Sequence, residues 1–201
     1  MALQNGGKTE GEHESVPFSK PKGRWLLLTV RIVAFLATAS ATIVMALNKE
    51  TKTLVVATIG STPITLTLTA KFQHTPAFVF FVIANANASF HNLLMILVEI
   101  CGNKLDYKGL RLVLVAVFDM MAVVLASAGD GAATFMAELG KRGNSHARWN
   151  KICDKFDSYC DRGGWALIAS YIGLSLLTLI SALSMIRLMK PKPANQPTTI
   201  P

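Results

Sequence analysis

The chain has 201 residues, of which 51% are apolar and only 16% are charged. Soluble globular domains carry about 25% charged residues, so this composition argues against an ordinary soluble domain. The net charge of +8 could suggest a nucleic-acid partner, but no basic stretch has the length or the interleaved aromatic residues of such a surface. We therefore expect no nucleic-acid binding and interpret the basic residues that flank the apolar segments as contacts with lipid headgroups.

Apolar residues are concentrated in four windows of the sequence. Each window is about 18–25 residues long, and at a rise of 1.5 Å per residue such a helix crosses a hydrocarbon core about 30 Å thick. We predict four transmembrane helices, at about residues 25–47, 76–98, 110–129 and 165–189. The loops and tails are too short for a separate soluble domain, so the expected fold class is an all-α membrane protein with a single four-helix bundle.

The ends of this bundle are less sharply marked than its apolar windows. Helix 3 could extend to residue 139, because the sequence beyond Gly129-Asp130-Gly131 remains helix-like. That tripeptide is interpreted as the outer end or a kink of helix 3 rather than as an ion site. We assign residues 25–189 to the membrane domain and expect disordered cytosolic tails at residues 1–24 and 190–201.

The first loop, between helices 1 and 2, has the pattern of β-structure. Residues 64–69 alternate strictly between a large apolar residue and threonine, and residues 54–58 form another β-branched run. Gly60, Ser61 and Pro63 separate the two runs. The pattern predicts a small β-hairpin in the first extracellular loop, where an exposed strand edge could dock another copy or an outer partner. A flexible threonine-rich loop is the alternative.

The orientation of the bundle is predicted from basic residues and cysteines. Lysine and arginine are almost equally numerous on the two sides of the predicted membrane. Those of the tails and of the loop after helix 2 lie closer to helix ends than those of the other two loops, which favours cytosolic termini. A disulfide between Cys153 and Cys160, before helix 4, would require a non-cytosolic side. In a continuous helix these residues would lie about 10 Å apart, beyond disulfide reach, so a bond requires a turn, which Phe156-Asp157-Ser158 could supply. Two free thiols are the alternative.

Asp119 lies in the middle of helix 3, within LVLVAVFDMMAVVLA, where an aspartate costs roughly 2.5–3.5 kcal/mol. Arg31 is the predicted partner, because helices 1 and 3 run in the same direction and the two residues lie at similar depths, about 10 Å beyond Arg24 and about 12 Å beyond Arg111. Bidentate hydrogen bonds would offset the desolvation of both groups. Alternatively, Arg31 extends to the interface and Asp119 is protonated or binds water.

Helix 2 carries five polar residues within eight positions: Asn85, Asn87, Ser89, His91 and Asn92. Asn85, Ser89 and Asn92 share one helix face, and the other two form a neighbouring stripe. We interpret all five as interhelical polar contacts, with intervening alanines that allow close approach. A proton pathway would need similar residues, but the sequence shows one histidine and one carboxylate at depth and no second acid to receive a proton.

No pattern in the sequence indicates an enzyme, a metal or a cofactor. A nucleophile elbow, a phosphate-binding loop and paired catalytic carboxylates are all missing from the sequence. His91 has no second histidine or cysteine at ligand spacing, which favours a core histidine over a metal ligand. We therefore expect a non-enzymatic protein without a bound metal or cofactor.

Several motifs together resemble one plant protein family. They are the arginine of helix 1, FVFFVIANANASFHNLL in helix 2, VFDMM in helix 3 and the cysteine pair before helix 4. As a set they resemble the Casparian strip membrane domain protein-like (CASP-like) family over roughly residues 24–187, and ATIGSTPITLTLTAKFQHTPAF resembles the first outer loop of its subfamily 1. Family members are four-span plasma-membrane proteins with cytosolic termini, distantly similar to the MARVEL proteins of animal junctions. The family's characteristic arginine and aspartate fall on Arg31 and Asp119.

The resemblance implies a non-enzymatic scaffold. Founding members of the family self-assemble into a stable membrane domain that acts as a diffusion barrier and recruits cell-wall-modifying enzymes. The implied partners are therefore further copies in a homodimer or higher homo-oligomer, related proteins in hetero-oligomers, membrane lipids and cell-wall-modifying enzymes. ATIGSTPIT replaces the Phe-rich stretch of strip-forming members, which argues against action at the Casparian strip itself. The alternative function is a small transporter or channel with a polar pathway at Asp119, His91 and the helix 2 asparagines.

Overall fold

A computed structural model describes residues 21–101 and 110–189. Within these two ranges there are four long helices: α1 (Pro21–Ala46), α2 (Pro76–Cys101), α3 (Leu110–Arg142) and α4 (Asp157–Met189). Strands β1 (Lys49–Ile59) and β2 (Thr62–Lys71) form an antiparallel pair between α1 and α2, and a 3-10 turn, Phe72–His74, follows β2. The predicted fold class, a four-helix bundle with a small β-hairpin, is confirmed. Of the predicted tails, residues 1–20 and 190–201 lie outside the described residues, and residues 21–24 belong to α1 rather than to a disordered tail.

The helices are arranged so that each packs mainly against two others. α1 and α3 each contact both α2 and α4, which gives a square bundle. All four helices contain a segment long and apolar enough to cross a membrane. The bundle interior is built from small residues, among them Ala34, Ala41, Ala84, Ala88 and Ala126, all buried. Small side chains let helix backbones approach closely, and most of the larger apolar side chains face outward, as expected for a bundle surrounded by lipid.

The largest departures from the predicted helix ends are in α3 and α4. α4 begins at Asp157 rather than near residue 165, and α3 ends at Arg142 rather than at residue 129 or 139. At 33 residues each, these two helices are about 50 Å long and project beyond α1 and α2 on the side of the hairpin, here called the hairpin end. Helical backbone hydrogen bonds continue past the apolar segment wherever the sequence is compatible with a helix. Hydropathy alone therefore underestimates the lengths of α3 and α4.

The tripeptide Gly129-Asp130-Gly131 is neither an end nor a break of α3. The helix continues without interruption through these residues to Arg142, and Asp130 is buried. The prediction of an outer helix end at this position is wrong. Glycine lowers helix propensity by only about 1 kcal/mol relative to alanine, a cost that packing against neighbouring helices offsets.

Gly129 and Gly131 have opposite surroundings, which predicts opposite effects of substitution. A Cβ at Gly129 would lie 2.9 Å from Ala84 Cβ and 3.3 Å from Phe81 Cα, whereas a Cβ at Gly131 would have no atom within 4 Å. Gly129→Ala should destabilise the bundle by about 1–3 kcal/mol because α2 and α3 must separate. Gly131→Ala should stabilise it by about 0.5–1 kcal/mol through helix propensity. Unfolding of both variants in detergent micelles tests this, and equal effects would contradict the close approach of α2 and α3.

The β-hairpin pairs β1 with β2 from Lys49–Lys71 at its base to Ile59–Thr62 at its tip. Gly60 lies in the turn with φ +61°, a conformation that glycine adopts without steric cost. On one face, threonine hydroxyls bond across the strands, Thr51 with Thr69 at 3.0 Å and Thr53 with Thr67 at 3.1 Å. The alternation that predicted the hairpin reflects these two faces, and the observed strands extend beyond both predicted runs.

Candidate functional site

The carboxylate of Asp119 is bonded to one residue from each of the other three helices. Arg31 of α1 donates from Nη1 to Oδ1 at 3.1 Å and from Nη2 to Oδ2 at 2.8 Å. Nε2 of His91, on α2, lies 2.7 Å from Oδ1, and the Ser184 hydroxyl of α4 donates to Oδ2 at 2.8 Å. Asp119 and Arg31 are almost completely buried. A single side chain therefore connects all four helices.

These contacts use the full hydrogen-bonding capacity of the carboxylate. An ionised carboxyl group offers about four acceptor positions, and each oxygen of Asp119 accepts from two groups. Because the carboxylate only accepts, His91 must carry its proton on Nε2 to bond it. The bidentate pairing with Arg31 is the strongest kind of ion-pair geometry. An aspartate bonded in this way holds helices together and has no oxygen position left for a mobile ion.

The structure places Arg31 and Asp119 in contact, at the same level of two parallel helices. It adds two residues that the sequence did not assign to this pair. His91 was predicted as part of a polar stripe of helix 2, and beside Asp119 only in the alternative transport pathway. Ser184 was missed because α4 contains several serines and nothing in the sequence distinguishes the one that faces the carboxylate.

A second buried polar cluster, here called the Asp130 cluster, lies nearer the hairpin end. The Ser170 hydroxyl of α4 lies 2.6 Å from Asp130 Oδ1 on α3 and 2.8 Å from Asn85 Oδ1 on α2. The interpretation that helix 3 has one carboxylate at depth is therefore wrong. Asp130 follows Asp119 by 11 residues, about three helical turns and 16 Å, which places both on one helix face. That spacing could have identified Asp130 from the sequence.

The five polar residues of α2 do not share one role. Asn85 and His91 each contact side chains of other helices, and Ser89 is buried. The Asn92 amide is buried but donates to Ala88 O of its own helix at 3.0 Å. Asn87 is exposed, so its predicted role as a contact within the bundle is corrected. Successive residues of an α-helix are rotated by about 100° around its axis, so Asn87 lies about 200° around the helix from Asn85, on the outward face.

Cys153 and Cys160 form a disulfide with a Cα–Cα distance of 5.6 Å. The turn that brings them together spans residues 153–155, before α4. The predicted turn at Phe156-Asp157-Ser158 is shifted, because Asp157 already begins the helix and Cys160 lies in its first turn. An aspartate at a helix N-terminus interacts favourably with the helix dipole, which explains why α4 begins there.

The base of the hairpin is bonded to the start of α4. Glu50 of β1 accepts a hydrogen bond from the Tyr159 backbone N–H at 2.7 Å, and the Asn48 amide donates to Tyr159 O at 2.8 Å. Backbone N–H groups in the first turn of a helix have no partner within that helix, so Glu50 caps α4 from another element. An isolated two-stranded hairpin is marginally stable in water, and this contact fixes its position on the bundle.

The Glu50 contact predicts that hairpin docking weakens in acid. Burial raises the pKa of the Glu50 carboxyl, but the Tyr159 N–H bond and the bond and charge of Lys52 outweigh it, so the pKa lies below its ordinary value of 4.5. A carboxyl group whose pKa is lower in the folded than in the unfolded protein stabilises the fold fully when the pH is above its unfolded-state pKa. This stabilisation is lost as the pH falls through its folded-state pKa. Glu50→Gln should therefore speed hydrogen exchange in β1 and β2 at pH 6, and the difference from wild type should diminish at a lower pH, as the Glu50 carboxyl group becomes protonated.

The matched control for this prediction is Glu138→Gln on α3. Glu138 is exposed and pairs with Arg142 on its own helix, so its loss should leave exchange in the hairpin unchanged at either pH. Equal exchange in wild type and Glu50→Gln at pH 6 would show that Glu50 does not hold the hairpin.

An open cavity of about 860 Å³ lies at the hairpin end between α3, α4 and the connection that joins them. Its lining is mainly apolar and includes Met136, Trp149, Trp165 and Leu167 together with the disulfide. Among the residues that the structure describes, no three histidine, cysteine or acidic side chains converge as a metal site would require.

Comparison with known proteins yields matches across most of the chain. The Casparian strip membrane protein domain matches residues 20–176. The chain is 69% identical to CASP-like protein 1B1 of Populus trichocarpa over 193 residues, which cover 96% of this chain and 98% of the relative. It is 65% identical to CASP-like protein 1B2 of the same species over 96% of each chain. CASP-like protein 1B2 of Arabidopsis thaliana is 64% identical over 82% of this chain and 83% of its own. No solved structure gives a significant match.

Proposed function

The chain belongs to the CASP-like proteins of subfamily 1, within the Casparian strip membrane protein family, and on that premise we propose that it is a non-enzymatic scaffold of the plasma membrane. It is a multi-pass membrane protein by its four apolar helices and its family. In this proposal it self-assembles into membrane domains, as homo-oligomers or with related CASP-like proteins. Its outer surface recruits cell-wall-modifying partners.

The observation that carries this proposal is the fourfold bonding of Asp119. A transport site for ions or protons needs a carboxylate whose partners can change, whereas Asp119 is bonded to α1, α2 and α4 at once. Releasing any partner would leave a buried charge or hydroxyl without its bond. The geometry favours a bundle that keeps one packing arrangement, which is what an assembling unit requires.

The outward face of α2 supports assembly through a second copy. Its exposed stripe, Phe80, Ile83, Asn87, Phe90, Leu94 and Leu97, has alternating spacings of three and four residues, the period of a two-helix seam. Asn87 is the one polar member, and it lies about 16 Å from the start of α2, near the middle of the membrane. A lone amide in hydrocarbon is costly unless it is bonded. Pairing with Asn87 of an identical helix supplies both a donor and an acceptor.

The hairpin end is proposed to face the cell exterior, with both termini in the cytosol. The Cys153–Cys160 disulfide supports this orientation, because disulfides persist in oxidising compartments. The hairpin would then project from the cell surface, and no further strand of the described part of the chain pairs with either of its edges. Exposed strand edges pair readily with other chains, so the hairpin is the proposed docking surface for cell-wall-modifying enzymes.

The proposed assembly predicts that Asn87→Leu weakens self-association. Polar contacts between membrane helices contribute about 0.6–1.7 kcal/mol, so the dimerisation constant should fall about 3- to 20-fold. Energy transfer between labelled copies in liposomes, measured over a range of protein-to-lipid ratios, gives this constant. Asn87→Gln keeps an amide and should retain association, and Met121→Leu, at an exposed position of α3, should have no effect. Unchanged association in Asn87→Leu would exclude the α2 stripe as the contact.

A transport function is discriminated by flux in proteoliposomes. The scaffold proposal predicts no flux above that of protein-free vesicles. If flux is present in the wild type and lost in Asp119→Asn while oligomers persist, the scaffold proposal fails and the pathway past Asp119 and His91 is favoured.

A further inference from the structure

We propose that the Asp130 cluster is a proton-binding site, in which Asp130 is a neutral carboxylic acid that links α3 through Ser170 to Asn85. The site has no assigned role, and the proposal is independent of self-assembly. Its ligand is a single proton on the Asp130 carboxyl group, in the half of the bundle nearer the hairpin.

Three buried oxygen atoms lie in a row at this site. Asp130 Oδ1, Ser170 Oγ and Asn85 Oδ1 follow one another at 2.6 and 2.8 Å. Each contact is short enough to be a direct hydrogen bond between oxygens. The three residues are buried, with 0–1% of their surface exposed. The contacts thus form a continuous chain across α3, α4 and α2.

These three oxygens need more hydrogens than an ionised Asp130 provides. Among the three oxygens of an ionised cluster, only Ser170 Oγ carries a hydrogen, and it can point to one of its two oxygen neighbours. The orientation of Asn85 is set by its Nδ2, which donates to Phe81 O at 3.2 Å, so Asn85 Oδ1 faces Ser170 as an acceptor. An ionised Asp130 would therefore leave two acceptors competing for one hydrogen. A proton on Asp130 Oδ1 resolves this, because Asp130 then donates to Ser170 and Ser170 donates to Asn85.

Asp130 has no compensating positive charge beside it among the described residues. Asp130 Oδ2 is buried without a hydrogen-bond partner among the described residues, and Asn85 and Ser170 are neutral. Arg31 and His91, the basic side chains described on α1 and α2, are both bonded to Asp119, about 16 Å away along α3. An isolated buried carboxylate is strongly unfavourable and becomes neutral instead.

The remaining titratable groups of the neighbouring helices are also placed elsewhere. On α4, the titratable residues of the first two turns, Asp157, Tyr159, Asp161 and Arg162, lie at least about 12 Å from Ser170 along the helix axis. On α3, Glu138 lies about 12 Å from Asp130. The neighbouring Tyr171 hydroxyl bonds Thr134 at 2.9 Å. On α2, Glu99 lies near the opposite end of the helix. A proton is therefore the cation that neutralises Asp130 in this cluster. The 2.6 Å distance between Ser170 Oγ and Asp130 Oδ1 leaves no space for a metal ion between these two atoms.

The consequence is a proton-dependent connection among three helices. The folded chain binds one proton at this site that the unfolded chain, with an ordinary aspartate, does not hold at neutral pH. Stability therefore falls as pH rises, because the unfolded state then binds fewer protons than the folded state. The contribution of this site to the unfolding equilibrium constant increases by up to tenfold per pH unit.

Infrared spectroscopy of the protein in lipid at pH 7 tests this inference directly. The wild type should show the carbonyl stretch of a protonated carboxyl group, and Asp130→Asn should lose it. Asp161→Asn, which removes an exposed carboxyl group, should keep the band. Absence of the band in the wild type would overturn the proposal whether or not the variant folds.

Unfolding measurements between pH 6 and pH 9 give a second readout. Wild type should lose stability relative to Asp130→Asn as pH rises, since asparagine mimics the neutral acid. The same measurement in sodium chloride and in choline chloride distinguishes a proton from a metal cation. A sodium-dependent stabilisation that disappears in Asp130→Asn would assign the site to sodium and overturn the proposal.

Discussion

Asp119→Ala is expected to destabilise the bundle by about 3–5 kcal/mol. Removal of the carboxylate leaves the Arg31 guanidinium buried without a counter-charge, and breaking a buried pair from one side costs about this much. It also leaves His91 and Ser184 without their shared acceptor. Arg31→Ala should have a similar effect from the other side of the pair. Unfolding in mixed micelles and delivery to the cell surface both measure the loss.

Two controls separate the ion pair from general packing. Ser184→Ala removes one neutral donor and should cost only about 1 kcal/mol, and Asp161→Ala removes an exposed carboxylate and should change stability by less than about 0.5 kcal/mol. The double variant Arg31→Met/Asp119→Leu should be more stable than either alanine variant, because apolar side chains can replace a buried pair with little loss. Additive effects of the two single substitutions would contradict a direct interaction.

Cys153→Ser is expected to destabilise the hairpin end by about 2–3 kcal/mol. The disulfide closes a loop of residues 153–160, and loop-closure entropy for this length gives about 2.5 kcal/mol. The bond holds the first turn of α4, where Tyr159 receives the Glu50 and Asn48 contacts, so exchange of hairpin amides should also accelerate. Unfolding with and without reductant measures the change.

The matched test is non-additivity within the cysteine pair. Cys160→Ser and the double variant should each lose the same stability as Cys153→Ser, because all three remove one bond. Reductant should have no effect on any of them. Additive losses, or a wild type that is insensitive to complete reduction, would show that the bond does not stabilise the fold.

The sequence was sufficient to predict the membrane helices and the hairpin because both depend on periodic patterns. The apolar windows match the thickness of a bilayer, and the threonine alternation at residues 64–69 reflects the two faces of a strand. The ends of α3 and α4 were not predictable in this way. A helix ends where its backbone hydrogen bonds end, and those of α3 continue through Gly131 and beyond the apolar segment to Arg142.

Some residues of the polar sites could be predicted from the sequence and others could not. Arg31 and Asp119 could be matched because parallel helices allow depth to be counted from one membrane surface. Ser184 could not be matched, since the rotation of α4 about its axis is set by packing and not by a local pattern. Asp130 was overlooked because flanking glycines indicated a helix end, yet its 11-residue spacing from Asp119 carried the signal. Asn87 shows the reverse error, since a polar residue in a membrane helix was assumed to face inward.

Single-molecule tracking in the plasma membrane tests the scaffold account most directly. The account predicts that the labelled protein diffuses more slowly than a monomeric four-span control, that its complexes grow with surface density, and that Asn87→Leu restores faster diffusion. Diffusion equal to that of the control at every density, with no complex of more than one copy, would contradict it.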